Sequence, residues 1–320
     1  LGVSQMKRLD DFVAKRHAIA ARYDKLLAKS QIVTPWQHPD TYSGLHLYIV
    51  RVPPENHRAL FESAGFQVNT YPYYDASTRG VNFDGMLQAL QTMPAGSAVV
   101  LHACCHNPTG ADLSDAQWTQ IIEVVTTRGL IPFLDMAYQG FGEGIEADGQ
   151  VVRRFADAGG PLFVSNSFSK SFSLYGERVG ALSIVAASAE EAARVMSQLK
   201  RVIRTNYSNP PSHGGQVVAT VLSTPELRQL WEDELAGMRV RIREMRAAFV
   251  AGLKEAAPNH NFDFVMQQRG MFSYSGLSKE QVTVLREQHS VYAVDTGRIC
   301  VAALNSKNIG HVLSAIAQVL

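Results

Sequence analysis

The segment Ser165-Asn166-Ser167-Phe168-Ser169-Lys170-Ser171-Phe172-Ser173-Leu174-Tyr175-Gly176-Glu177-Arg178-Val179-Gly180 lies between two apolar runs, Pro161 to Val164 and Ala181 to Val185. Each run has the length and content of a short buried strand. The loop between them carries small hydroxyls, one lysine and one arginine, with Phe172, Leu174 and Tyr175 as apolar anchors. A loop of that kind is a candidate anion site. Composition alone equally describes a solvated polar loop with an incidental lysine.

The surrounding composition narrows the class. The chain has 320 residues, 46% hydrophobic and 18% charged, an ordinary content for a globular protein with ample core. Its length allows about two domains of roughly 150 residues each. A net charge of +1 implies no polyanion such as a nucleic acid as partner. No apolar run approaches the ~20 residues that span a bilayer, and no signal peptide is visible, so no membrane partner is expected. Cys104, Cys105 and Cys300 are odd in number and two are adjacent, which points to reduced thiols and a cytoplasmic location. The start at Leu1, without a methionine, reads as a fragment of something longer.

The order of residues in the loop is more specific than its composition. Ser-x-Ser-Lys, with Arg178 in Gly-Glu-Arg-Val-Gly eight residues after Lys170, resembles the cofactor-lysine segment of class I aminotransferases. These are pyridoxal 5'-phosphate (PLP) enzymes of the aspartate and aromatic amino acid type. The resemblance implies that Lys170 holds PLP as a Schiff base, and that Ser167, Ser169 and Arg178 hold its phosphate. The residue types suit that chemistry: an imine needs an amine of lowered pKa, and a dianionic phosphate needs hydroxyls and a forked guanidinium.

The same resemblance runs from Glu55-Asn56-His57 to the last residue. Before it, Leu1-Gly2-Val3-Ser4-Gln5-Met6-Lys7-Arg8-Leu9-Asp10, Arg16-His17 and His46-Leu47-Tyr48 are similar to the C-terminal region of DegT-type nucleotide-sugar aminotransferases, without that family's catalytic lysine. Pro53-Pro54 reads as the seam, and Pro54 stands where the class I family has a tryptophan that stacks on the cofactor ring. That family's N-terminal phosphate loop is also missing, so the chain reads as a chimera of two aminotransferase pieces.

Taken in order, Ser4 is expected to cap a helix through Leu27, His46 to Val52 to form a strand, and Phe66 to Thr70 another. Asn82 to Leu90 reads as a helix, Ala98 to His102 as a strand. Asn107-Pro108-Thr109-Gly110 follows, a turn signature in its own right, placed where strands of an α/β sheet deliver ligands. The resemblance implies that Asn107 hydrogen-bonds the cofactor's ring hydroxyl. Ser114 and Gln117 form a capping box for a helix to Thr127. Leu130 to Asp135 is a strand ending in a carboxylate, a helix cap or a site residue by position alone. The resemblance implies that Asp135 meets the pyridine nitrogen, that Tyr138 bonds the ring oxygen, and that His57 and His102 pack nearby.

Ala187 to Arg204 reads as a helix. Ser223 and Glu226 around Pro225 are expected to cap a long helix towards Ala256, with Arg239, Arg241, Arg243 and Arg246 as its solvated face. Phe272 to Ser275 alternates, Ser278 and Gln281 start a helix, the apolar run Val291 to Val294 and Gly297-Arg298-Ile299-Cys300-Val301 follow, and an amphipathic helix ends the chain. The resemblance implies that Arg298 grips the substrate α-carboxylate, for which a planar fork suits better than lysine. It also implies that Arg204 binds a substrate side-chain carboxylate in the partner's site of a homodimer.

Alternating strands and helices imply an α/β fold with a mostly parallel sheet and a smaller α+β domain at the end; the type I PLP-dependent transferase fold is what the resemblance adds. The expected domains are 1–52, 53–237 (PLP-binding) and 238–320. The expected reaction is transamination between an aromatic amino acid, or aspartate, and 2-oxoglutarate. The competing expectations are an impaired remnant that binds PLP poorly and, third, nucleotide-sugar amino transfer.

Overall fold

Three apolar runs alternate with amphipathic helices, and in the computed structural model they become neighbouring strands. The structure describes residues 8–29, 34–37, 39–40, 42–43 and 57–320. The expected Ser4 cap, the strand His46 to Val52 and the Pro53-Pro54 seam lie outside these residues. The chain forms two compact units, Leu1–Thr70 with Leu199–Pro210, and Tyr71–Gln198 with Pro211–Leu320.

In the first unit, helix α1 spans Leu9–Leu27. Of its apolar stripe only Ala20 is buried, while Leu9, Ile19 and Leu26 stay exposed. His17 stacks on Tyr42 at 4.2 Å and its Nε2 lies 2.8 Å from the Ser43 carbonyl. Helix α2 spans His57–Ser63. Phe66 to Thr70, expected as a strand, is irregular: none of its residues pairs with a described strand, and Phe66 is exposed. The Phe66 N–H instead donates back to the Phe61 carbonyl at 3.1 Å, closing the end of α2.

In the second unit, the short strands β1 (Tyr74–Asp75) and β2 (Gly80–Val81) precede helix α3 (Phe83–Thr92), capped by Asn82. Strand β3 is Ala98–His102, helix α4 is Asp115–Thr127, and the Ser114/Gln117 capping box is present as expected. Strand β4 is Ile131–Met136, followed by α5 (Ile145–Asp148) and α6 (Gln150–Ala158). Strands β5 (Leu162–Ser167) and β6 (Gly180–Val185) flank the lysine loop. The sheet order is β3-β4-β5-β6, the first two pairs parallel and the last antiparallel. It is the mostly parallel sheet expected. Register places His102, Asp135 and Ser165 in one row across it, so the carboxyl ends of three strands deliver their loops to one side.

The rest is mostly helical. Helix α7 (Ala189–Asn206) contributes residues to both units. Helices α8 (Ser212–Ser223) and α9 (Pro225–Ala256) follow, then α10 (Phe264–Gln267), β7 (Phe272–Tyr274), α11 (Lys279–His289), β8 (Arg298–Cys300) and α12 (Ile309–Val319). Strands β7 and β8 pair antiparallel. Val291 to Val294 stays irregular.

Two expectations for α9 are corrected. Ser223 closes α8, and its hydroxyl donates to the Thr220 carbonyl; Thr224 stands at the α9 N-cap without a side-chain cap bond. The arginines are a solvated face only in part: Arg241 and Arg243 are exposed as expected, Arg239 is half-buried, and all three also reach loop carbonyls. Arg239 donates to the Gly140 carbonyl at 2.8 Å, Arg243 to Gly142 at 3.0 Å, and Arg241 to Ala302 at 3.1 Å. Arg246 is buried. Positions 239, 243 and 246 share one helical stripe, and loops from distant parts of the chain bring carbonyls to it.

Two cores result. One packs α3, α4 and α6 on the sheet through Leu90, Leu101, Ile121, Leu134 and Phe155. The other centres on α9, α11 and α12 with Ile242, Phe249, Val282 and Ile316, and it includes Cys105 and Tyr138 from the sheet's carboxyl end. The loops that leave the sheet are therefore clamped by the second core.

Candidate active site

The turn after β3 is built around two glycines that tolerate close approach. A Cβ on Gly110, at φ +73°, would meet the Phe272 carbonyl oxygen at 2.6 Å; one on Gly270, at φ +77°, would meet Cys105 Cβ at 2.5 Å. Both positions combine a left-handed backbone with contact to another segment, which only glycine accommodates. The contacts are sealed by backbone bonds, Arg269 N–H to the Gly110 carbonyl (2.7 Å) and Tyr274 N–H to that of Thr109 (3.2 Å). Asp112 accepts from the N–H groups of Cys105 (2.7 Å) and His106 (2.8 Å).

Asn107 is thereby held between two groups from elsewhere. Its Nδ2 donates to the Tyr138 hydroxyl at 3.2 Å, and its Oδ1 accepts from Arg298 Nη1 at 3.1 Å. The Arg298 guanidinium lies 4.7 Å from the centre of the Phe272 ring, which in turn meets Tyr138 edge-on at 6.1 Å. Burial pushes the Tyr138 phenol up to about 12, with Tyr175 adding to the rise and the Asn107 bond opposing it. The phenol is thus a proton donor at neutral pH.

Lys170 faces this group. Its Nζ lies 5.0 Å from the Tyr138 ring centre and 5.5 Å from that of Tyr175. Partial burial lowers the amine below its ordinary value; the Asp135 carboxylate opposes that shift and the Arg178 guanidinium adds to it. A lowered amine has more of the uncharged form that attacks a carbonyl carbon. The loop carrying it is anchored from α9: Trp231 Nε1 donates to the Ser171 carbonyl at 2.7 Å, and the Trp231 ring stacks on Phe172 at 4.6 Å.

The residues expected at the phosphate are held locally. Ser169 is buried, its N–H donating to Ser167 Oγ at 3.3 Å. Arg178, exposed and at φ +52°, donates through Nη1 to the Tyr175 carbonyl at 3.1 Å. That bond leaves other guanidinium donors for an anion. Asp135 sits at the end of β4 opposite His102 in register, and His102 meets His106 edge-on at 4.7 Å. His57 is the first residue of α2 in the other unit. Arg204 is in that unit too, in the last turn of α7, where Nη1 donates to Ser208 Oγ.

One amine of lowered pKa, a phenol, an amide, a carboxylate, two small hydroxyls and two guanidiniums make a donor set that fits a phosphorylated pyridine aldehyde. Sequence reasoning missed Phe272, Trp231 and Arg246. Phe272 was visible only as an alternating strand residue, and Trp231 and Arg246 only as helix positions. Cys104, Cys105 and Asp148 are the one metal-capable group among the described residues. The Asp148 oxygens already accept from the N–H groups of Gly140, Gly142 and Glu143. A cavity of about 400 Å³ lined by Glu143, Arg243, Arg246 and Arg269 contains none of the expected site residues.

The family Aminotransferase class I and II matches residues 55–316. The chain is 62% identical over 266 residues to the aspartate aminotransferase of Pseudomonas aeruginosa, covering 83% of this chain and 67% of that protein. It is 54% identical over 266 residues to the aromatic-amino-acid aminotransferase of Escherichia coli, with the same shares. The crystal structure of the aromatic-amino-acid aminotransferase of Burkholderia pseudomallei covalently bound to pyridoxal phosphate superposes with a TM-score of 0.82 at 66% identity. That match covers 83% of this chain and 67% of the other. The chain thus spans about two thirds of the length of these relatives.

Proposed function

This chain belongs to the class I and II aminotransferase family, and we infer that its reaction is PLP-dependent amino transfer from an aromatic amino acid, or aspartate, to 2-oxoglutarate. The observation that carries this reading is the hydrogen-bonded run Tyr138–Asn107–Arg298 beside a lysine of lowered pKa. It groups a guanidinium and a phenol through one amide near an amine, which supports the reading.

Lys170, Asn107, Asp135, Tyr138, Ser167, Ser169 and Arg178 would hold the cofactor. Bound there, PLP supplies an electrophilic carbon and a ring that takes up an electron pair. Asp135 keeps a proton on the ring nitrogen by its negative charge. Tyr138 and Asn107 would orient the ring hydroxyl, while Ser167 and Ser169 would donate hydrogen bonds to the phosphate and Arg178 would offset its charge. Arg298 orients the amino acid by its α-carboxylate. Lys170 Nζ would take the proton from the substrate Cα, and in the return half-reaction would give a proton back to Cα. Arg204 is assigned to the side-chain carboxylate of a dicarboxylic substrate in the partner's site of a homodimer. Three free cysteines, two of them buried, support a reducing cytoplasmic location. No helix among the described residues is long and apolar enough to cross a membrane.

The relatives do not favour an inert remnant or nucleotide-sugar amino transfer. Their names divide between aspartate and aromatic substrates; the wording of the lysine loop favours the aromatic class. Steady-state rates with phenylalanine, tyrosine and aspartate against 2-oxoglutarate test this. A kcat/KM for aspartate above both aromatics would replace the aromatic assignment, and no transfer from any donor would remove the enzyme reading.

A further inference from the structure

We propose that Arg246 is a positioning residue for substrate-carboxylate recognition: from the middle of α9 it fixes the strand that supports Arg298 and the turn that carries Asn107. The proposal rests on the reading of Arg298 as the carboxylate's partner.

Arg246 is only 2% exposed and forms no ion pair with a carboxylate among the described residues. All four of its bonds instead go to one short segment. Nη1 donates to the Val265 carbonyl at 3.1 Å and to Ser273 Oγ at 3.3 Å. Nη2 donates to the carbonyls of Gly270 at 2.8 Å and Phe272 at 2.7 Å. Burial of the cation lowers its pKa to about 10, still far above neutral pH. A buried charge without a counter-ion is costly. It is tolerated here because three carbonyl dipoles and a hydroxyl point their oxygens at it.

The gripped segment has two other faces, and both touch the site. On one, the ladder with β8 pairs Phe272 with Cys300 and Tyr274 with Arg298, and the Phe272 ring lies under the Arg298 guanidinium. On the other, Arg269 and Tyr274 bond the Asn107–Gly110 turn through Gly110 and Thr109. Arg298 and Asn107 then meet each other. A single guanidinium therefore sets the height of Phe272 relative to both members of the Asn107–Arg298 pair. Arginine suits the place because two nitrogens of its rigid fork serve four acceptors at once, an arrangement a lysine cannot reproduce. Arg246 touches neither substrate nor cofactor in this scheme and acts through Phe272.

The test compares the holoenzyme with Arg246→Gln, Arg246→Lys, Phe272→Leu and Arg298→Lys, measuring kcat, KM for the amino donor, and binding of succinate as a carboxylate probe by calorimetry. Arg246→Gln is expected to raise KM and weaken succinate by about tenfold while kcat changes by less than about threefold, since a displaced guanidinium loses ground-state and transition-state binding alike. Arg246→Lys is expected to recover part of that loss. A lowered Tm with KM and succinate affinity unchanged would leave Arg246 a structural residue only and overturn the proposal. If Arg246→Gln does not fold, Phe272→Leu decides: a several-fold rise in KM supports the link, and an unchanged KM overturns it. If Arg298→Lys leaves succinate binding unaltered, the reading of Arg298 itself fails. An effect of Arg298→Lys without one from Arg246→Gln sinks the positioning role alone.

Discussion

The two halves of the candidate cofactor site are made differently. On the ring side, Asn107 and Arg298 are joined across 191 residues of chain, and Asn107 and Tyr138 across 31. On the phosphate side, Ser169 bonds Ser167 two residues away and Arg178 bonds Tyr175 three residues away. One half is a network between elements; the other is a self-contained loop whose charged group rests on its own backbone. Substitutions on the ring side should therefore spread to their neighbours, while those on the phosphate side should stay local.

Lys170→Ala addresses the residue both halves serve. Amino transfer is expected to fall by about 10⁴-fold, as loss of the proton-carrying amine demands. Covalent retention of PLP after borohydride reduction should vanish in mass spectrometry; a retained adduct would move the reactive amine elsewhere. Arg178→Gln is expected to weaken PLP binding by about 100-fold through loss of a charge-assisted phosphate contact. It should leave the Tyr138 phenol titrating at about 12; a shift of the phenol would mean the two halves are coupled after all. For the ring side, a double-mutant cycle of Asn107→Ala and Arg298→Lys on succinate binding should show a coupling of about 1–2 kcal/mol. Strict additivity would show that the 3.1 Å contact carries no energy.

Smaller effects concern protons. The Asp135 carboxylate holds the Lys170 amine up against the desolvation that lowers it. Asp135→Asn should therefore move the pH midpoint of Lys170 acylation further down, and an upward movement would reverse the assigned cause. His106, neutral and stacked on Tyr73 at 3.9 Å, has its pKa lowered by burial to about 3 from 6.5, with His102 contributing. Between those pH values the unfolded chain binds a proton that the folded chain refuses, so stability falls as pH falls through the window. His106→Gln should flatten that acid limb in denaturant titrations at pH 4 and pH 7, and an unchanged slope would mean that His106 accepts a proton in the folded state.

Much of this fold is written in local sequence. The strands on both sides of the lysine loop, the Ala98–His102 strand and the capping boxes of Ser114 and Ser278 are local signals, and local propensity and side-chain spacing were enough to read them. The arginines of α9 were legible only in part: Arg241 and Arg243 are exposed as expected, while Arg246 is buried. A stripe of arginines at helical spacing looks the same whether it faces water or the carbonyls of loops about 100 residues away. Phe66 to Thr70 failed for the complementary reason, since alternation makes a strand only where a neighbour accepts its hydrogen bonds.

The amino-acid sequence by itself determined which functional groups are available: an amine in the loop between two strands, a carboxylate at the end of another, and guanidiniums further along the chain. These are properties of residue type and near-neighbour spacing. Only the tertiary structure decided that Asn107 joins Tyr138 to Arg298, that Trp231 pins the lysine loop, and that Arg246 is buried beneath the segment carrying Phe272. Those contacts depend on where the chain returns after many residues, and that return is set by burial of two shared cores, a property of the folded whole.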